Sequence, residues 1–91
     1  MTALSSKKKA ALRSAAQRLK PAIFVGKNGL TAHFLKELCQ ALDSEKLVKI
    51  AFKEGRDSME VLVKEIEAET AAVCVGGVGK KRSFYRESSG D

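Results

Sequence analysis

Apolar positions recur along this chain with two different periods, and the switches between them mark out seven elements. Leu12, Ala15, Ala16 and Leu19 fall at i, i+3, i+4 and i+7, a narrow stripe on a helix that Ser5 or Ser6 can cap and that runs to about Leu19. Lys20-Pro21 ends it, because the proline ring pushes the preceding residue out of the α region. Ala22-Ile23-Phe24-Val25 is a short unbroken apolar run, expected as a buried strand, with the glycine-bounded loop Gly26-Lys27-Asn28-Gly29 behind it. Phe34, Leu35, Leu38 and Leu42 restore the 3.6-residue period over a second helix, Thr31 to Leu42, with Thr31 as its cap. From Leu47 to Lys53 the period falls to two: Val48, Ile50 and Phe52 take one face, Lys49, Ala51 and Lys53 the other. Glu54-Gly55-Arg56 turns the chain. Asp57 with Glu60 opens a third helix in capping-box fashion, with a stripe of Met59, Leu62, Val63 and Ile66 and an acidic outer side of Glu60, Glu65, Glu67 and Glu69. Ala71 to Val78 reads as a strand, Gly79-Lys80 as a turn and Arg82 to Arg86 as a returning strand, before a frayed polar tail at 87–91.

The order is α-β-α-β-α-β-β. Strand–helix–strand units favour parallel neighbours with right-handed crossovers, and the closing hairpin adds an antiparallel strand. The expected fold is a single α/β domain over residues 1–91, with its core at 4–86 and a mixed four-stranded sheet covered by helices. Hydrophobic residues at 44% and charged residues at 31% give a globular balance, and aromatics at 5% make the core aliphatic. No run reaches the roughly 18 apolar residues of a membrane span, and the basic amino end lacks the apolar segment of a secretory signal. Cys39 and Cys74 match no disulfide scaffold or zinc spacing. A soluble, monomeric, cytoplasmic domain without metal or cofactor is the expectation, since no broad exposed apolar stripe asks for a second copy.

Charge changes the picture more than composition does. Lys and Arg number 17 against 11 Asp and Glu, a net charge of +6. Residues 1–36 carry Lys7, Lys8, Lys9, Arg13, Arg18, Lys20, Lys27 and Lys36 and no acidic residue, whereas the stretch from 37 to 69 is net acidic. A solubilising tail would account for Lys7 to Lys9 but not for a positive stretch that continues through Lys27 and Lys36. The separation is the footprint of a polyanion binder.

The loop at 26–29 concentrates that chemistry. Its glycines let a phosphate approach without meeting a Cβ, and the amides opening the next helix, near Leu30 to Ala32, present partial positive charge. Lys27 adds a full charge and Asn28 both donates and accepts. A GxxG loop grips the nucleic-acid backbone in KH domains. By itself the pattern also fits any tight strand-to-helix turn; the basic flank and the strand-to-helix context favour the binding reading.

The run Leu19-Lys20-Pro21, Ile23, Val25-Gly26-Lys27-Asn28-Gly29-Leu30-Thr31, then Leu42, Leu47-Val48-Lys49-Ile50, Gly79-Lys80 and Phe84-Tyr85-Arg86 resembles a CRM domain, the chloroplast RNA splicing and ribosome maturation domain, in its stand-alone bacterial YhbY-like form. The resemblance covers about residues 4–86. It implies a fold similar to the carboxy-terminal domain of translation initiation factor three, and RNA binding through the GxxG loop and adjoining basic surface. It further implies association with ribosomal RNA in precursors of the large ribosomal subunit, with a splicing-type role in plants. On this reading the RNA-binding residues are Gly26, Lys27, Asn28, Gly29 and Thr31, the basic Lys7, Lys8, Lys9, Arg13, Arg18 and Lys20, and the closing Arg86, which alternatively caps the sheet edge. Gly76-Gly77 stands where the family pattern leads one to expect larger strand residues.

Other residues carry less. His33 has no partners at ligand spacing and is a solvated helix residue or an RNA contact beside the loop. The glycine-rich stretch up to Lys81, set against the phosphate-binding GxxxxGK[ST] pattern over 74–81, fails at Cys74 and Lys81. Phe84 and Tyr85 alternate on the last strand, one inward and one outward. There is no Ser/His/Asp set or HExxH, so an enzyme is not expected. The competing function is a protein-interaction module that docks a basic partner on the acidic third helix. Duplex DNA is disfavoured because no recognition-helix pattern occurs.

Overall fold

The computed structural model describes residues 5–26, 29–53 and 56–86. Its elements are α1 (Ser6–Ala16), β1 (Ile23–Val25), α2 (Ala32–Glu45), β2 (Leu47–Phe52), α3 (Arg56–Thr70), β3 (Val73–Gly76) and β4 (Lys81–Tyr85), the expected order. Ser5 caps α1 by accepting from the Lys8 amide at 3.1 Å, and Thr31 caps α2 by accepting from the Phe34 amide at 3.0 Å. The helix α3 already includes Arg56, one residue ahead of the expected cap at Asp57. The Glu54-Gly55 turn and the tail at 87–91 lie outside the described residues.

The two-residue period of β2 organises the packing. Val48, Ile50 and Phe52 are buried with Phe34, Leu38 and Leu42 from α2, Met59 and Ile66 from α3, and Val25 and Phe84 from neighbouring strands. The opposite face receives α1, which packs across β2, β3 and β4 and buries Ala16, Val75 and Ser83. The domain is therefore three layers with the sheet in the middle.

Strand order is β1-β2-β4-β3. As expected, β1 and β2 are parallel and β3 and β4 antiparallel. The expectation that β3 would neighbour β2 fails, because β4 inserts between them, pairing Val48 with Phe84 and Lys49 with Ser83. Ser83 and Phe84 point to opposite faces and both are buried, which requires a central strand. The expected buried strand at 22–25 is also corrected. β1 is an edge strand of three residues, and Phe24 on its outer side is 62% exposed.

The hairpin explains Gly76 and Gly77. A register shift between Cys74 and Gly76 bulges β3, and Gly76 takes φ +131°. Arg13 reaches across from α1, donating from Nε to the Val75 carbonyl at 3.1 Å, and its side chain occupies the space a Cβ on Gly76 would need. The outer edge of β3 is covered by α3: the Cys74 amide donates to Glu67 Oε2 at 2.8 Å. Glu67 is thus half-buried in the fold rather than part of a solvated acidic face. Both cysteines are half-buried, and burial pushes the Cys74 thiol above its ordinary value, so at neutral pH it stays protonated.

Two helices end in left-handed residues that are not glycine, Lys46 at φ 66° and Ala71 at φ 63°. At such a position a Cβ costs about 1 kcal/mol. Ala71→Gly is expected to raise stability by about 0.5–1 kcal/mol in urea unfolding; a loss of stability would contradict this reading of the α3 terminus.

Candidate nucleic-acid interface

The loop leaves the C-terminal end of β1 and delivers the chain to the start of α2. The Gly29 amide donates to the Gly26 carbonyl at 3.1 Å, closing a four-residue turn one residue before Leu30 and two before the Thr31 cap. Gly29 sits at φ 67°, where glycine is favoured. Gly26 does not: it lies outside the positive-φ region and a Cβ built there meets nothing among the described residues. The open side of Gly26 is where another backbone can come close. Lys27 and Asn28, the two central residues, lie outside the described residues. The start of α2 carries the partial positive charge of its first-turn amides, of which that of Phe34 donates to Thr31 Oγ1. His33 is solvated, its side chain 82% exposed, with Nε2 3.7 Å from Glu37 Oε1 one turn on. A shallow depression of about 230 Å³ is lined by Phe24, Gly26, Gly29, Thr31, His33, Phe34 and Glu37.

The predicted basic residues divide. Lys7, Arg18 and Lys20 are exposed and Lys9 is half-buried. Lys8 places its ammonium 5.2 Å from the Tyr85 ring centroid, so α1 is docked to the sheet by a cation–π contact at that point. Tyr85 pairs with Leu47 at the start of β2, whereas the loop adjoins Phe52 at its end. The amino end of α1 therefore lies at the far end of the sheet from the loop. Arg13 commits its Nε to the Val75 carbonyl.

Arg86 also stands at the end of the sheet away from the loop. Its amide donates to the Lys46 carbonyl at 3.0 Å, just before β2 begins. Its guanidinium donates to the Thr70 carbonyl at 2.9 Å, the Cys39 carbonyl at 3.2 Å and Asp43 Oδ1 at 2.6 Å. A fourth contact runs to Cys39 Sγ at 3.6 Å. The side chain knits the late turns of α2 and α3 to the end of β4, a favourable place for a cation. These acceptors lie on α2 and at the end of α3, and β4 is a central strand, so the side chain bridges two helices rather than capping a sheet edge, and the backbone of Arg86 stands beyond the opposite end of β2 from the turn at 26–29.

A family model described as the CRS1/YhbY (CRM) domain matches residues 4–86. The chain belongs to the CRM family. Among similar proteins, one from Haemophilus influenzae named an RNA-binding protein is 35% identical over 89 residues, covering 97% of this chain and 90% of the relative. A Bacillus subtilis relative named a probable RNA-binding protein is 31% identical over 90 residues, with 93% and 90% covered. The solution structure of a Staphylococcus aureus protein, described as a candidate RNA binder, superposes with a TM-score of 0.84 at 27% identity, covering 96% of this chain and 92% of that one. No described helix of this CRM domain is long and apolar enough to cross a membrane.

The sequence reading missed several residues that this CRM fold brings to the loop end. Lys53 follows β2 and donates its amide to the Val25 carbonyl at 3.2 Å, and Lys80 accepts from the Phe52 amide at 2.8 Å. Both side chains are exposed, as is that of Lys81 opposite Ala51. The signal for Lys53 was its place on the polar face of β2. Nothing in the sequence placed Lys80 and Lys81 there, because that position depends on β4 inserting next to β2.

Proposed function

We propose that this CRM domain binds RNA by its backbone, gripping phosphates at the Gly26–Gly29 turn and along the contiguous lysines, and that it associates with ribosomal RNA in large-subunit precursors. The observation that carries the reading is the turn itself: a closed loop at a helix start, with a glycine at 26 that the fold does not require. The names of the relatives support RNA as the ligand, and the family resemblance supports the ribosomal setting. The acidic-helix alternative loses Glu67, which accepts from the Cys74 amide, and keeps the exposed Glu60, Glu65 and Glu69.

Lys27→Asp is expected to lower affinity for a ribosomal RNA hairpin by about tenfold or more at low salt, the worth of a charged phosphate contact, with an unchanged melting temperature. Gly26→Ala should fold normally and also bind less tightly. For the wild type, log affinity should fall with log salt by about 0.7 per single-strand phosphate contact. An unchanged dissociation constant in both variants would remove the turn from the mechanism.

A further inference from the structure

Among the described residues, Phe24 is the one aromatic ring left largely to solvent. Phe34, Phe52 and Phe84 are buried, and Tyr85 is half-buried with the Lys8 ammonium over its ring, whereas Phe24 is 62% exposed. Its surroundings are ordered by the sheet. Phe24 pairs with Ala51, and Ala51 pairs with Lys81, so the three side chains form one row across β1, β2 and β4 on the face that carries α1. Packing of α1 on β2, β3 and β4 leaves the β1 corner of that face open. On the same face of β2 stand Lys49, half-buried beside α1, and Lys53, exposed at the strand's end. At the sheet edge Phe24 also borders the depression beside the turn, which Gly26, Gly29 and Thr31 line together with His33, Phe34 and Glu37 of α2. An exposed ring amid lysines, next to a phosphate-gripping turn, is the pattern by which proteins hold unpaired bases: the ring takes the base and the cations take the flanking phosphates.

We propose that Phe24 is a stacking platform for an unpaired RNA base, with Lys53 and Lys81 holding the phosphates on either side. The inference rests on the RNA reading above and sharpens it: the preferred ligand has at least one unstacked nucleotide next to the segment gripped at 26–29, rather than continuous duplex.

The chain contains no tryptophan, so Phe24→Trp introduces a single indole reporter. Titration with a single-stranded RNA hexamer should quench it, and an abasic ribose-phosphate strand of the same length should not. Phe24→Ala should bind the hexamer about tenfold more weakly, with the salt slope and the affinity for the abasic strand retained. Hexamer affinity equal to wild type in Phe24→Ala would overturn the proposal and assign the ring to a protein contact, while a loss of both strands in Lys27→Asp would still uphold the turn. Failure of the wild-type protein to bind either strand would overturn both readings.

Discussion

Gly77→Ala is expected to destabilise the domain by about 3 kcal/mol or more, a large share of the roughly 5–14 kcal/mol that holds a domain of 91 residues together. A Cβ at this position would run into the Lys81 carbonyl oxygen and lie 2.8 Å from Arg82 Cα. Both obstacles are backbone of β4, so no side chain can rotate away; the hairpin itself must open. Opening it displaces Phe84, fully buried against Val48, and loosens the bulge on which Arg13 anchors α1. Gly79→Ala is the control. Its Cβ meets nothing within 4 Å, and its cost, from φ 62°, should stay near 1 kcal/mol. Urea midpoints of the two variants separate the cases, and a Gly77→Ala loss as small as that of Gly79→Ala would contradict the packing described for the hairpin.

Arg86→Ala is expected to cost about 2 kcal/mol, or roughly 8–16 °C in melting temperature, while leaving RNA affinity unchanged at temperatures where the variant is folded. The Asp43 pair contributes little of this, because the carboxylate is 71% exposed and surface pairs are weak. The loss comes from the carbonyls of Thr70 and Cys39, which a single planar guanidinium serves together. Arg86→Lys should recover part of the loss, since an ammonium lacks the fork that spans two helices. Calorimetry and an RNA titration on the same sample decide between the two readings of this residue. Retained stability with lost binding would return Arg86 to the interface.

What was legible in the sequence follows from how local its causes are. Caps at Ser5 and Thr31, the alternation through Val48, Ile50 and Phe52, and the turn at 26–29 depend on residues a few positions apart, and each was readable. Phe24 was not, because an apolar run of four residues looks alike whether a strand is central or at an edge. Its exposure is settled by β4 pairing with β2, a contact between segments about 34 residues apart in the chain. Insertion of β4 likewise determined where Lys80 and Lys81 stand. Gly76 and Gly77 departed from the family pattern for a reason visible only in three dimensions: one makes room for Arg13, the other for the returning strand. Arg86 was noticed from its place in a motif, but its acceptors lie in two helices that the sequence alone does not bring together.

The central claim is that RNA is gripped at the turn between β1 and α2. A backbone NMR titration with a short ribosomal RNA hairpin, at two salt concentrations, tests it most directly. The account predicts shifts concentrated at Gly26, Gly29 to Thr31, Lys53 and Lys80-Lys81, weakening as salt rises, with Arg86 and α3 unmoved. Shifts centred on α3 or around Arg86, with the residues of the turn unperturbed, would contradict it.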